Sequence, residues 1–172
     1  MPFLAKIISG GQTGVDRAAI DAALKRGIEC GGWCPAGRLD EFGKIPEHYP
    51  LKEMERGSFS ERTLQNVKDS DGTVIIFRGE LRGGTKQTTE FCESEKRPYQ
   101  LIDADRVAVN EASKLISKFV RENGVRILNV AGPRASEWAE GYDYAFGVVD
   151  RFLSDSPRVI QSEREGPHER PS

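Results

Sequence analysis

A doubly wound α/β fold is what the sequence predicts: one parallel sheet of about five strands with helices on both faces. Three observations predict it. Short apolar or β-branched runs alternate with segments of helical periodicity, in the order β-α-β-loop-α-β-α-β-α-β-α. Two of the predicted strands run straight into the most glycine-rich turns of the sequence, at 9–17 and 78–86, and a third runs into the turn at 129–136. The 172 residues suit a single domain. We expect a ligand-binding domain over 1–153 and a polar tail over 154–172.

The elements follow in order. Leu4 to Ser9 is a short apolar strand ended by Gly10 and Gly11. Val15, Ala18, Ala19, Ala22 and Ala23 share one helical face, and Gly27 closes that helix. Ile28 to Trp33 is a weaker strand, diluted by glycine. Residues 34 to 57 carry Pro35, Pro46 and Pro50 and read as a long loop, of the kind used as a lid or binding segment. A helix follows from Ser58 to Lys68, with Ser58 and Glu61 spaced as a capping box. Thr73 to Phe77 is unbroken and β-branched, as a buried parallel strand should be. After the turn at 78–84, a helix runs to about Lys96 and Tyr99 to Ile102 forms the fourth strand. Ala108, Ala112, Leu115, Ile116 and Phe119 mark a helix stopped at Gly124. Arg126 to Val130 is the fifth strand. Trp138, Tyr142, Ala145, Val149 and Phe152 give the last helix its buried side. The strand order expected is 2-1-3-4-5, with the ligand outside the carboxyl ends of strands 1 and 3.

Charge and composition exclude several functions. Lys and Arg number 25 against 27 Asp and Glu, so no strong field favours nucleic acid or an anionic membrane. No apolar run approaches the ~20 residues of a membrane span, and MPFLAKIISG lacks the pattern of a secretory signal. Cys30, Cys34 and Cys92 are an odd set, which argues for a reducing, cytoplasmic setting. His48 and His168 lie far apart, and Cys30 and Cys34 are not a C-x-x-C pair, so no metal site is expected.

The turns carry the chemistry. In the first, Gly10, Gly11 and Gly14 allow close backbone approach, and Gln12, Thr13, Asp16 and Arg17 stand at a helix mouth suited to phosphate. Thr13 and Asp16 equally fit a helix cap. The spacing is not that of a dinucleotide fingerprint, and the second strand ends without an acidic residue for a ribose. The second turn runs Arg78-Gly79-Glu80-Leu81-Arg82-Gly83-Gly84-Thr85-Lys86. Its Thr-Lys order reverses a Walker motif, which excludes that NTPase class. A cradle of Gly83 and Gly84 N–H groups, the Thr85 hydroxyl and Arg82 remains. Thr88 and Glu90 either face the ligand or lie on the helix surface. In the third turn, Gly132, Pro133 and Arg134 stand at a strand's carboxyl end, with Ser136 a possible cap. Trp33 and Arg38, where the long loop opens, either cover a planar ring or serve the core. Aromatics on more than one side of the last helix suggest a homo-oligomer.

Four segments taken together, GGQTGVDRAAIDAA, GGWCPAGRLDEFGKIPEHYPL, RGGTKQTTE and NVAGPRAS, resemble the molybdenum-cofactor carrier family across about residues 3 to 153. That family sits in a Rossmann-like group with the lysine-decarboxylase-like phosphoribohydrolases and the DprA-type domains. The resemblance implies a Rossmann-like sheet, a homo-oligomer, and a carrier that holds a phosphate-bearing pterin (the molybdenum cofactor) or a related nucleotide. The alternative it offers is hydrolysis of a nucleoside monophosphate, with Glu90 as the catalytic residue. The phosphoribohydrolase pattern G-G-x-G-T-x-x-E falls on 83–90. Gly83, Gly84 and Glu90 match, whereas Lys86 and Gln87 replace its glycine and threonine.

Overall fold

The computed structural model describes residues 4–156, so most of the expected tail lies outside the described residues. Fourteen elements appear: β1 (Lys6–Ile8), α1 (Val15–Arg26), β2 (Glu29–Gly31), β3 (Trp33–Cys34), β4 (Leu39–Asp40), β5 (Gly43–Lys44), β6 (Lys52–Glu53), α2 (Phe59–Asp69), β7 (Gly72–Phe77), α3 (Gly83–Ser94), β8 (Tyr99–Asp103), α4 (Val109–Asn123), β9 (Ile127–Ala131) and α5 (Gly141–Asp155). Five strands form one parallel sheet in the order β2-β1-β9-β7-β8. The fold is Rossmann-like α/β.

The expected order 2-1-3-4-5 is corrected to 2-1-5-3-4: the last strand of the chain, β9, is inserted between β1 and β7. Both orders keep right-handed crossovers, so handedness alone does not choose between them. The register chooses. Ile7 and Ile8 of β1 pair with Leu128 and Asn129, and Val74 of β7 pairs with Val130. β9 is thus flanked on both sides, and its Leu128 and Val130 are fully buried. Leftward connections (β1 to β2, β8 to β9) put α1 and α4 on one face, where α5 joins them; rightward ones put α2 and α3 on the other.

Local boundaries follow side-chain and glycine chemistry. Gly27 and Gly124 end α1 and α4 in the left-handed conformation (φ 66° and 60°), where a Cβ would be strained. The predicted strand 28–33 is split. Gly32, at φ +121°, lies so close to Ser9 that an added Cβ would sit 2.1 Å from its carbonyl oxygen. Trp33 and Cys34 then leave the main sheet and pair with Lys52 and Glu53 instead. Trp138 precedes α5 rather than belonging to it. The aromatics of α5 are engaged within the chain: the Tyr142 hydroxyl donates to Asp21, the Tyr144 hydroxyl donates to the Val107 carbonyl, and Phe146 stacks on Tyr142. No helix among the described residues is long and apolar enough to cross a membrane.

Candidate functional site

Because β1, β9 and β7 are neighbours, their three following turns meet at one end of the sheet. They enclose a narrow cleft of ≈ 90 Å³, with Gln12 from the first turn, Thr85 from α3, and Asn129, Arg134 and Glu137 from β9 and the turn after it. Its wall is completed by a residue that the turns do not contain, Arg62 of α2. Arg62 is 6% exposed, and its Nη1 donates to Asp16 Oδ2 at 3.2 Å. Burial pushes the Asp16 carboxyl up and the Arg62 guanidinium down, each opposed by the partner's charge. The Arg62 Nε and the Gln12 Oε1 are buried without a hydrogen-bond partner among the described residues. Gln12 is oriented by its Nε2, which donates to the Leu39 carbonyl at 3.0 Å.

Most of the first turn is filled by the protein itself. A Cβ on Gly10 would meet Arg62 Nη1 at 1.4 Å, so Gly10 makes room for that guanidinium. Gly11 (φ +72°) is packed by Leu51, and Gly14 (φ +80°) by the Pro133 carbonyl and Ala135 N–H of the third turn. Gly132 is likewise pressed between the Ile76 carbonyl oxygen and Val15. Arg17 is not offered to a ligand. It donates to the Gly11 carbonyl, pairs with Asp40 at 2.9 Å and lies 4.8 Å from the centre of the Tyr49 ring. Thr13 caps nothing: Gly14 stands at the cap of α1, and the Thr13 hydroxyl donates to Glu41 and accepts from Ala135 N–H at 3.1 Å. Ser136 is not a helix cap either; its N–H and hydroxyl both donate to Glu41.

Glu41 lies in the turn of the β4–β5 hairpin, so residues 34 to 57 are a strap tied across the first and third turns. Arg38, at φ +53°, fastens the strap's other half by donating to the carbonyls of Pro46, Tyr49 and Leu51. Ile45, Tyr49 and Leu51 are buried beneath it. Trp33 donates through Nε1 to Asp69 at 2.7 Å and lines neither the narrow cleft nor the wider one beside it. The ring-covering role expected of Trp33 and Arg38 is therefore corrected: both hold the strap and α2.

The second turn is different. Gly83 and Gly84 at the start of α3 are exposed, and a Cβ on either would meet nothing within 4 Å among the described residues. Thr85 is 6% exposed, and its hydroxyl makes no hydrogen bond among the described residues. Thr88 lines the narrow cleft, but its hydroxyl donates back to the Gly84 carbonyl. Arg82 is exposed, pairs with Glu80 at 2.7 Å and borders the wider cleft, as does Pro133. Arg134 stands at the rim of the narrow cleft over the Phe59 ring. Glu90 is exposed and lines neither cleft. Among the described residues no group of three or more His, Cys, Asp or Glu is placed to hold a metal ion. The arrangement offers an anion one buried cation, one rim cation, a free hydroxyl and the first N–H groups of a helix.

Residues that sequence reading missed are Arg62, Asn129 and Glu137. A signal for Arg62 was present. The only apolar residues of α2 are Phe59, Leu64 and Val67, too few to cover a sheet, so the polar residues at 62 and 66, one turn apart, must face inward.

The strand order also bears on ancestry. With β9 counted first, the same sheet reads 3-2-1-4-5, the order of the doubly wound dinucleotide folds, with the chain opened elsewhere. Residues 7–153 match the model of the circularly permutated YpsA SLOG family. The chain belongs to the circularly permutated YpsA SLOG family. In keeping with this membership, it is similar to a solved structure from Syntrophus aciditrophicus SB, described as a "putative molybdenum carrier protein". The two are 47% identical with a TM-score of 0.86, over 88% of this chain and 96% of that one. None of the curated proteins matches the chain. The inserted position of β9, at odds with the expected order, accords with a doubly wound sheet whose chain has been circularly permuted.

Proposed function

We propose that this SLOG protein binds and carries a phosphate-bearing small molecule, a pterin of the molybdenum-cofactor type or a related nucleotide, with its phosphate in the narrow cleft. The observation that carries this reading is the buried Arg62 guanidinium. Its Nε lacks a partner among the described residues, while Gly84 and Thr85 at the N-terminus of α3 line the same cleft. A buried donor left unpaired costs about 1–3 kcal/mol, which a ligand oxygen would remove. Gly84 N–H, the Thr85 hydroxyl, Arg62 and Arg134 hold the phosphate in this reading, and Asp16 keeps Arg62 aligned. The neighbour's description as a molybdenum carrier supports the pterin as cargo. The hydrolase alternative draws no support from the geometry, since Glu90 is exposed and lines neither cleft.

Thermal denaturation with a panel of pterin and nucleotide monophosphates tests this. A true ligand at 100 times its Kd adds about 2.7 kcal/mol of stability, and Thr85→Val together with Arg134→Ala should remove that gain. A panel in which no monophosphate raises the Tm would overturn the reading.

A further inference from the structure

The charge of the narrow cleft is unusual for an anion site. Its ionisable lining residues are Asp16 and Glu137 against Arg62 and Arg134, so the formal charges cancel. Each guanidinium already faces one of the carboxylates, Arg62 with Asp16 at 3.2 Å and Arg134 with Glu137 at 4.0 Å. The wall supplied by α3 adds no charged residue to the lining. A doubly charged anion entering such a lining meets two carboxylates as well as two cations. A singly charged one suffers half of that repulsion.

Gln12 adds a second, independent observation. It lines the same cleft and is 4% exposed. Its Nε2 donates to the Leu39 carbonyl at 3.0 Å, which fixes the amide, because a turned amide would set oxygen against oxygen. The free end is therefore Oε1, buried with no donor among the described residues. The Arg62 Nε is buried with no acceptor. One cleft thus holds an unused acceptor and an unused donor, each of which calls for a partner. A fully deprotonated phosphate offers only acceptors and can satisfy only the Arg62 Nε. A phosphate that keeps one proton satisfies both: a P–O oxygen accepts from Arg62 and the P–OH donates to Gln12 Oε1.

We propose that the cleft takes phosphate in a protonated, hydroxyl-bearing form, with Gln12 accepting the P–OH, and rejects tetrahedral oxyanions that carry no proton, sulfate and molybdate among them. A phosphate monoester has a second pKa of about 6 and is mostly a dianion at pH 7. Binding in the protonated form then draws about 0.9 proton per ligand from solvent at that pH. Free molybdate is excluded from this cleft, so molybdenum would enter it only as part of a phosphate-bearing molecule. The inference rests on the phosphate reading above and adds the protonation state and charge that the cleft selects.

The test is calorimetric titration of the full chain with inorganic phosphate, sulfate and molybdate at about pH 8. All three are then chiefly dianions, and phosphate alone bears a hydroxyl. Phosphate is expected to bind at least tenfold more tightly than either of the others. Guanosine monophosphate, titrated at pH 7 in buffers of different ionisation enthalpy, should take up close to one proton on binding. Gln12→Met keeps the side-chain length and removes the acceptor. It should bring the phosphate-to-sulfate ratio close to one and abolish most of the proton uptake. The ion preference and proton uptake of the parent chain decide the matter even where that variant does not fold. Equal affinity for phosphate and sulfate, or monophosphate binding without proton uptake, overturns the inference and leaves the phosphate reading standing. So does an uptake that persists in Gln12→Met and thus belongs to Asp16 or Glu137. Failure of inorganic phosphate and of every monophosphate to bind overturns both.

Discussion

The first and second turns look alike in sequence and differ in what their glycines are for. In the first, Gly10, Gly11 and Gly14 are occupied from within by Arg62, Leu51 and the backbone of the third turn. In the second, Gly83 and Gly84 face open space. Both turns join a parallel strand to a helix, and both would be read as phosphate loops. The difference teaches that a glycine beyond a strand marks close approach, not what approaches. At Gly10 the approaching group is a protein cation, which also lines the cleft.

Substitutions can break this comparison. The largest effect should come from Arg62→Ala. It leaves the Asp16 carboxylate buried and uncompensated, a loss of about 3–5 kcal/mol in denaturant unfolding. Adding Asp16→Asn should recover part of that loss, because the two side chains form one buried pair. Gly132→Ala comes next. Its Cβ would lie 2.2 Å from the Ile76 carbonyl oxygen and 2.7 Å from Val15 Cβ, both fixed by the sheet and α1. A cost at or above the ~1–3 kcal/mol of ordinary overpacking is expected. Gly84→Ala should behave oppositely. Its stability should stay within about 1 kcal/mol of the parent, on the favourable side, because alanine is the better helix former, yet monophosphate affinity should fall. A large loss of stability in Gly84→Ala, or none in Gly132→Ala, would erase the contrast between occupied and open glycines.

The smallest effect concerns the strap. Burial alone would raise the Asp40 and Glu41 carboxyls, but hydrogen bonds and charge hold both below their ordinary values: Arg17 and the Phe42 N–H for Asp40, Ser136 and Thr13 for Glu41. A depressed folded pKa stabilises above the unfolded value and is lost as pH falls through the folded one. The strap should therefore be fully tied at pH 7 and loosen below about pH 4. Hydrogen exchange of residues 38–51, compared across that range, should accelerate in acid beyond its intrinsic rate. In Glu41→Gln the acid response should be smaller.

The sequence carried the layers of this fold plainly, through TVIIF at 73–77, the helix-stopping Gly27 and Gly124, and the alternation of strand and helix. The insertion of β9 was not legible, because its ILNVA run fits an edge or a centre equally well and the crossover rule permits both. The site was half legible. Gly84 and Thr85 announce themselves where a glycine-rich turn enters α3, and Arg134 in the turn after β9. Arg62 does not, because its role depends on α2 packing across 46 residues of chain onto Asp16. Arg17 and Arg38 misled for the complementary reason: a cation beside a turn satisfies carbonyls and carboxylates of its own strap as readily as those of a ligand.

Nuclear magnetic resonance titration of the full chain with a guanosine or pterin monophosphate tests the central claim most directly. The Arg62 Nε–H and the Gly84 and Thr85 amides should shift together with one saturation curve, while the Gly11 and Gly14 amides stay in place. Shifts that saturate at Gly11 and Gly14 while leaving Arg62 and Thr85 unmoved would contradict the account.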